Sequence, residues 1–184
     1  MILPITAYGH PTLRKIADDI DKDYPKLEEL IANMFETMYN SDGVGLAAPQ
    51  VNLPIRLFVM DATPMSDEVE EFKDFKKVFI NAQITEEDGE DWSFNEGCLS
   101  IPGIREDVIR PERIKIEYYD ENWVFHEEEY DSVPARIIQH EYDHLDGVLF
   151  PDLLPPLRRR LLKSRLLSIT KGKIDVNYRM IFPK

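Results

Sequence analysis

Cysteine is all but missing: Cys98 is the only one among 184 residues, so no disulfide forms within the chain. Positive charge is scarce too, with 22 Lys and Arg against 35 Asp and Glu and a formal net charge of −13. A field of that sign is repelled by a phosphate backbone, which excludes a surface built to wrap DNA. Long hydrophobic runs are absent, none approaching the roughly 18 apolar residues of a membrane span. The opening Met1-Ile2-Leu3-Pro4-Ile5 has no basic segment followed by an apolar stretch. No secretory leader is therefore expected, and the expected location is the cytoplasm. No internal repeat or low-complexity tract stands out. What is there suits a core: 43% of the residues are hydrophobic, and a chain of this length fits a single domain over residues 1–184.

Leu27, Leu30, Ile31, Met34 and Met38 share one helical face. They predict a helix from Pro25 to Tyr39, with Pro25 in its first turn and Asn40-Ser41-Asp42-Gly43 as its stop. Arg56–Asp61 and Val78–Ile84 are β-branched or aromatic runs and read as strands. Between them Ser66–Lys77 reads as a solvated loop. Glu86–Asp91 reads as a second, acidic loop that serves solubility rather than binding. Ile114, Ile116 and Tyr118 alternate with polar residues, and Val124 resumes the pattern after Asp120-Glu121-Asn122, which predicts an antiparallel hairpin. Ser132 reads as the N-cap of a helix with Pro134 in its first turn and Gly147 as its stop. Pro151, Pro155 and Pro156 punctuate a linker before a last helix, Leu157–Ile169, and a strand-like tail, Ile174–Phe182. Mostly antiparallel strands around two or three helices make the expected class α+β.

The sharpest chemical signal is His140-Glu141-Tyr142-Asp143-His144, an HExxH inside the predicted helix. Residues four apart share a helix face, so both imidazoles reach one ion, and Glu141 beside the first is placed to take a proton from water on that ion. The plainer alternative is a helix carrying two surface histidines and a glutamate. Ile137 and Ile138 just upstream argue for burial, and buried His and Glu need partners, which a cation supplies. Such a site wants a third protein ligand. Cys98, in the turn Glu96-Gly97-Cys98-Leu99-Ser100, is the candidate, although a lone cysteine is by default a small buried hydrophobe. A third segment, Gly43-Val44-Gly45-Leu46-Ala47-Ala48-Pro49-Gln50, lets backbone pass close to a neighbour and ends on an amide suited to donate to an oxyanion. It lacks the lysine and hydroxyl residue of a phosphate loop, and its bland reading is a tight turn.

Taken together, Gly43–Gln50 (GxGxAAxQ), Glu96–Ser100 (EGCxS) and His140–His144 resemble the three motifs of peptide deformylases, in the same order and at matching intervals. The flanks Ile101-Pro102, Gln139 and Leu145-Asp146-Gly147 extend the likeness, which covers roughly residues 3 to 155. Residues 66–77 look like an insertion, and 156–184 a variable helix and tail. The resemblance implies a single α+β domain, with antiparallel sheets packed around a central HExxH helix and a further helix toward each end. It implies removal of the formyl group, as formate, from the N-terminal formyl-methionine of new polypeptides, by attack of a metal-bound water on the formyl carbon.

Carried over residue by residue, the likeness makes Cys98, His140 and His144 the metal ligands and Glu141 the general base, then acid. Gln50 and the backbone N–H of Leu99 become the oxyanion donors. Gly45 and Arg105 would meet the substrate, and Val44, Val133 and Ile137 would line the methionine pocket. Arg136, between the last two, either lends its stem to that pocket or turns its charge away. The ion implied is Fe2+, with Zn2+, Co2+ or Ni2+ as alternatives, and an iron–thiolate centre is expected to be oxygen-sensitive. A zinc endopeptidase shares HExxH but takes a later histidine or glutamate as third ligand, and none follows His144. A catalytically dead binding module would have lost Glu141 or a ligand, and all are present. Finally, Leu157–Lys173 holds seven Lys and Arg and no acid. A stripe of Leu157, Leu161, Leu162, Leu166 and Ile169 is expected to pack on the domain, leaving a basic side outward. That side either balances the acidic body or faces ribosomal RNA.

Overall fold

The computed structural model describes residues 1–67 and 70–184. In chain order the elements are β1 (Ile5–Thr6), α1 (Leu27–Asn40), β2 (Gly45–Ala47), β3 (Leu57–Asp61), β4 (Lys76–Cys98), β5 (Ile101–Tyr119), β6 (Phe125–Asp131), α2 (Ser132–Leu145), α3 (Pro156–Thr170) and β7 (Met180–Ile181). Strands β2 to β6 form one antiparallel sheet in sequence order, while β1 and β7 pair in parallel as a separate two-stranded sheet. The α+β class stands, but the tail contributes only Met180–Ile181 as strand, and its partner runs parallel rather than antiparallel.

The sheet lies between two helices, and the pleat divides its side chains between them. Leu57, Val59, Val78 and Ile80 pack with Met34 and Met38 of α1, whereas Phe58, Met60 and Phe79 pack with Ala135, Ile138 and Leu145 of α2. With both faces covered, every residue of β3 is buried. A third cluster joins Leu162, Leu166 and Ile169 of α3 to Ile101, Ile104 and Val108 of β5 and to Phe150. The register of β4 on β5 shifts at four places, between Ile80/Gln83, Ile84/Glu86, Asp88/Asp91 and Gly97/Cys98. Such irregularities bend and twist a strand, and the last of them falls at Cys98.

Several expectations need correction. Pro25 lies outside α1, because Lys26 takes a left-handed conformation (φ 56°) and the helix starts at Leu27. Ser132 does not cap α2; Asp131 holds the cap position, and Ser132 is already in the helix with φ 52°. Glu86–Asp91 is strand, not loop: it continues β4 opposite Arg113 to Pro111, exposed throughout, so no apolar alternation marks it. Of Ser66–Lys77, positions 68 and 69 lie outside the described residues. Within the rest, Phe72 and Phe75 are buried against Phe79 and Tyr118, so the segment is not wholly solvated. In α3, Leu162, Leu166 and Ile169 are buried but Leu157 and Leu161 are exposed. Arg158 is tied to Glu106 and Arg165 donates to the Gly103 carbonyl, which leaves Arg159, Arg160 and Lys163 as the outward cations of the helix. No helix is long and apolar enough to cross a membrane among the described residues.

Candidate metal centre

Helix α2 crosses behind β2 and β5, and its buried face carries His144, Glu141 and Ile137 on successive turns. The end of β4 brings Cys98 to them. One donor atom each from Cys98, His140 and His144 lie within 4.8 Å of one another, with Cys98 Sγ 3.5 Å from His144 Nε2. A thiol and two imidazoles aimed at one point form a donor set for a divalent transition metal. His140 donates from Nδ1 to Glu96 Oε1 at 2.9 Å, which fixes its ring and leaves Nε2 for the centre. His144 is almost fully buried and its Nδ1 has no partner among the described residues. Burial and the neighbouring charges push its pKa well below the usual histidine value, so it is neutral, as a ligand must be.

Glu96 is the hub behind the centre. Burial opposes its charge, but hydrogen bonds from His140 and Arg110 outweigh that and hold its carboxyl well below the ordinary range. Arg110 donates Nε and Nη2 to the two Glu96 oxygens at 2.8 and 2.9 Å and Nη1 to Asp143 at 2.6 Å. Arg136 donates to Glu96 at 3.0 Å and to the carbonyls of Val108 and Trp92, with its guanidinium over the Trp92 ring. It therefore points away from the cleft. The strict alternation of β5 from Ile104 to Arg110 is what turns Arg110 inward.

A cleft of about 900 Å³ opens over this centre, lined by Val44, Gly45, Gln50, Cys98, Leu99, Arg105, Val133, Ile137, His140 and Glu141. His144 sits behind it. Glu141 is buried, and desolvation raises its carboxyl to about 7, with the His140 charge opposing and Glu96 adding to the rise. Its Oε2 has no partner among the described residues. A Cβ on Gly45 would stand 2.5 Å from Glu141 Oε1, so only glycine lets that strand pass. Gln50 accepts from the Ala47 N–H at 2.9 Å, which turns its Nε2 toward Ser100 Oγ at 3.3 Å and Cys98 Sγ at 3.5 Å. The carbonyl of Leu99 accepts from the Tyr178 hydroxyl at 2.8 Å. Arg105 is exposed and spends Nε and Nη2 on Asn95.

Two groups in this site carry no sequence signal of their own. Glu96 opens the cysteine motif yet was read only as part of a turn, and Arg110 resembles any other arginine until the pleat is known. The tail residues Asp175, Val176, Asn177 and Tyr178 also line the cleft, and no motif reaches that far.

An α+β core, a Cys-His-His donor set and a buried free carboxylate beside it define a metal-dependent amide hydrolase. The family model for polypeptide deformylase matches residues 2–160. The peptide deformylase of Christiangramia forsetii is 60% identical over 190 residues, covering 100% of this chain and 97% of that one. Among solved structures, a Thermus thermophilus peptide deformylase has a TM-score of 0.82 at 39% identity, covering 94% of this chain and 99% of the other. One from Legionella pneumophila has a TM-score of 0.81 at 35% identity, covering 94% and 98%. The chain belongs to the polypeptide deformylase family, metal-dependent enzymes that remove the N-terminal formyl group from nascent polypeptides.

Proposed function

We propose that Cys98, His140 and His144 hold the catalytic ion, natively Fe2+, and that Glu141 is the general base and then the general acid of deformylation. The observation that carries this reading is the convergence of three donors beside a carboxylate whose Oε2 has no partner. When bound, the ion supplies Lewis-acid polarisation of the formyl oxygen and acidifies water. Glu141, with a carboxyl near neutrality, suits both taking a proton from the attacking water and returning one to the leaving amine. Gln50 Nε2 and the Leu99 N–H donate to the oxygen that gains charge in the transition state. Val44, Val133 and Ile137 hold the methionine side chain, Gly45 admits the substrate backbone, and Arg105 meets the substrate at the rim. The catalytic core is residues 3–155, followed by the helix and tail of 156–184, and the enzyme works in the cytoplasm.

Purification without air should yield about one equivalent of iron per chain and turnover of a formyl-Met peptide, and exposure to air should lower both turnover and iron content. Zinc as the sole metal after anaerobic purification, with full turnover indifferent to air, would overturn iron as the native ion.

The outward cations Arg159, Arg160 and Lys163 make no ion pair among the described residues, on a chain that is otherwise acidic. We read them as an electrostatic guide to the RNA-rich ribosome surface, where formylated chains emerge. In sedimentation with ribosomes, association should weaken with salt and when these three become Gln, while turnover of a free formyl peptide holds. Equal pelleting of both proteins at low salt would leave the helix a solvated face.

A further inference from the structure

After α3 the chain runs extended from Ile174, with Ile174, Val176, Tyr178 and Met180 half-buried and Asp175, Asn177 and Arg179 exposed between them. This stretch is fastened at both ends. Before it, Lys173 donates its backbone N–H to Ser168 at the end of α3. After it, Arg179 accepts from the Ile5 N–H at 2.8 Å as β7 pairs with β1. In the middle, the Tyr178 hydroxyl reaches the Leu99 carbonyl beside the metal ligand Cys98. Yet no backbone N–H or carbonyl of residues 174–178 makes a hydrogen bond among the described residues. An extended strand held in place with its own donors and acceptors unmet is a template for a second extended chain.

That unpaired strand faces the cleft. Residues 175–178 line one side of it, across from Asp42–Gly45 and next to Ile101–Arg105. A formyl group and one methionine fill only the deep end of about 900 Å³, leaving the outer part for whatever follows in the chain. We propose that Asp175–Tyr178 is a third wall of the substrate cleft and binds the backbone of the polypeptide residues that follow formyl-methionine. Tyr178 acts as its positioning residue, holding the wall to the Leu99 turn. This inference rests on the substrate reading given above for the cleft.

Chain length of the substrate isolates the wall from the chemistry. kcat/KM is measured for formyl-Met-Ala and formyl-Met-Ala-Ala-Ala with the full chain, with Tyr178→Phe, and with a chain ending at Lys173. The full chain should favour the longer peptide by about tenfold, the worth of one or two well-made hydrogen bonds. Tyr178→Phe should erase much of that preference through KM for the longer peptide, and the shortened chain should erase nearly all of it. If both variants keep the full preference for length, the wall does not exist. The shortened chain also loses β7 and the packing of Met180 and Phe182. Should it fail to fold, Tyr178→Phe alone decides the matter, with an unchanged melting temperature as its control. Failure of the catalytic reading shows separately, as normal turnover of either peptide by a Glu141→Gln chain.

Discussion

A Cys98→Ala chain should lose bound metal and deformylase turnover together. Cys98 is the only sulfur in the chain and the only anionic member of the donor set. Without it two imidazoles remain, and two neutral ligands on one helix hold a divalent ion weakly. Loss of an outer partner of a ligand costs about 10–100-fold in metal affinity, and removal of the ligand itself should cost more. Metal analysis and turnover of a formyl-Met peptide are measured on the same preparation. Normal metal content would show that the centre is held by other groups. Cys98→Asp keeps a negative ligand but a harder one, so it should retain more metal than the alanine variant while turning over slowly.

Glu141→Gln should separate the base from the ligands. Glutamine has the same shape, so it fits against Gly45, and Cys98, His140 and His144 are untouched. Metal content should stay at the level of the parent chain. Turnover should fall on the order of 10²–10⁴-fold, the usual contribution of a positioned acid or base. A variant with near-normal rates would remove Glu141 from the role of base, whatever its metal content.

These two side chains were visible in the sequence because their chemistry is local. His140, Glu141 and His144 lie within one turn and a half of helix, and periodicity alone predicts that helix and α1. The hairpin of β5 and β6 was equally legible, since Ile114, Ile116 and Tyr118 alternate and the turn between the strands is short. The supports of the site are different in kind. Glu96 meets Arg110, Arg136 and His140 across separations of 14, 40 and 44 residues, and no spacing rule announces a contact of that sort. Glu86–Asp91 hid as strand because both its faces are in water and only the partner β5 reveals it. Phe72 and Phe75 were masked by the charges around them. β1 and β7, two residues each, are below the length at which alternation can be read.

That last pair sets an order of assembly. Ile5 and Thr6 are among the first residues to be synthesised and Met180 and Ile181 among the last. The helix with its three reactive side chains and the sheet around it can come together earlier, since none of their contacts needs β7. Residues 175–178 find their place only when the final strand joins the first. An enzyme that acts on growing chains thus passes through a stage of its own growth with its metal ligands made and one side of its cleft still open, and it closes that side with nearly the last residues to be added.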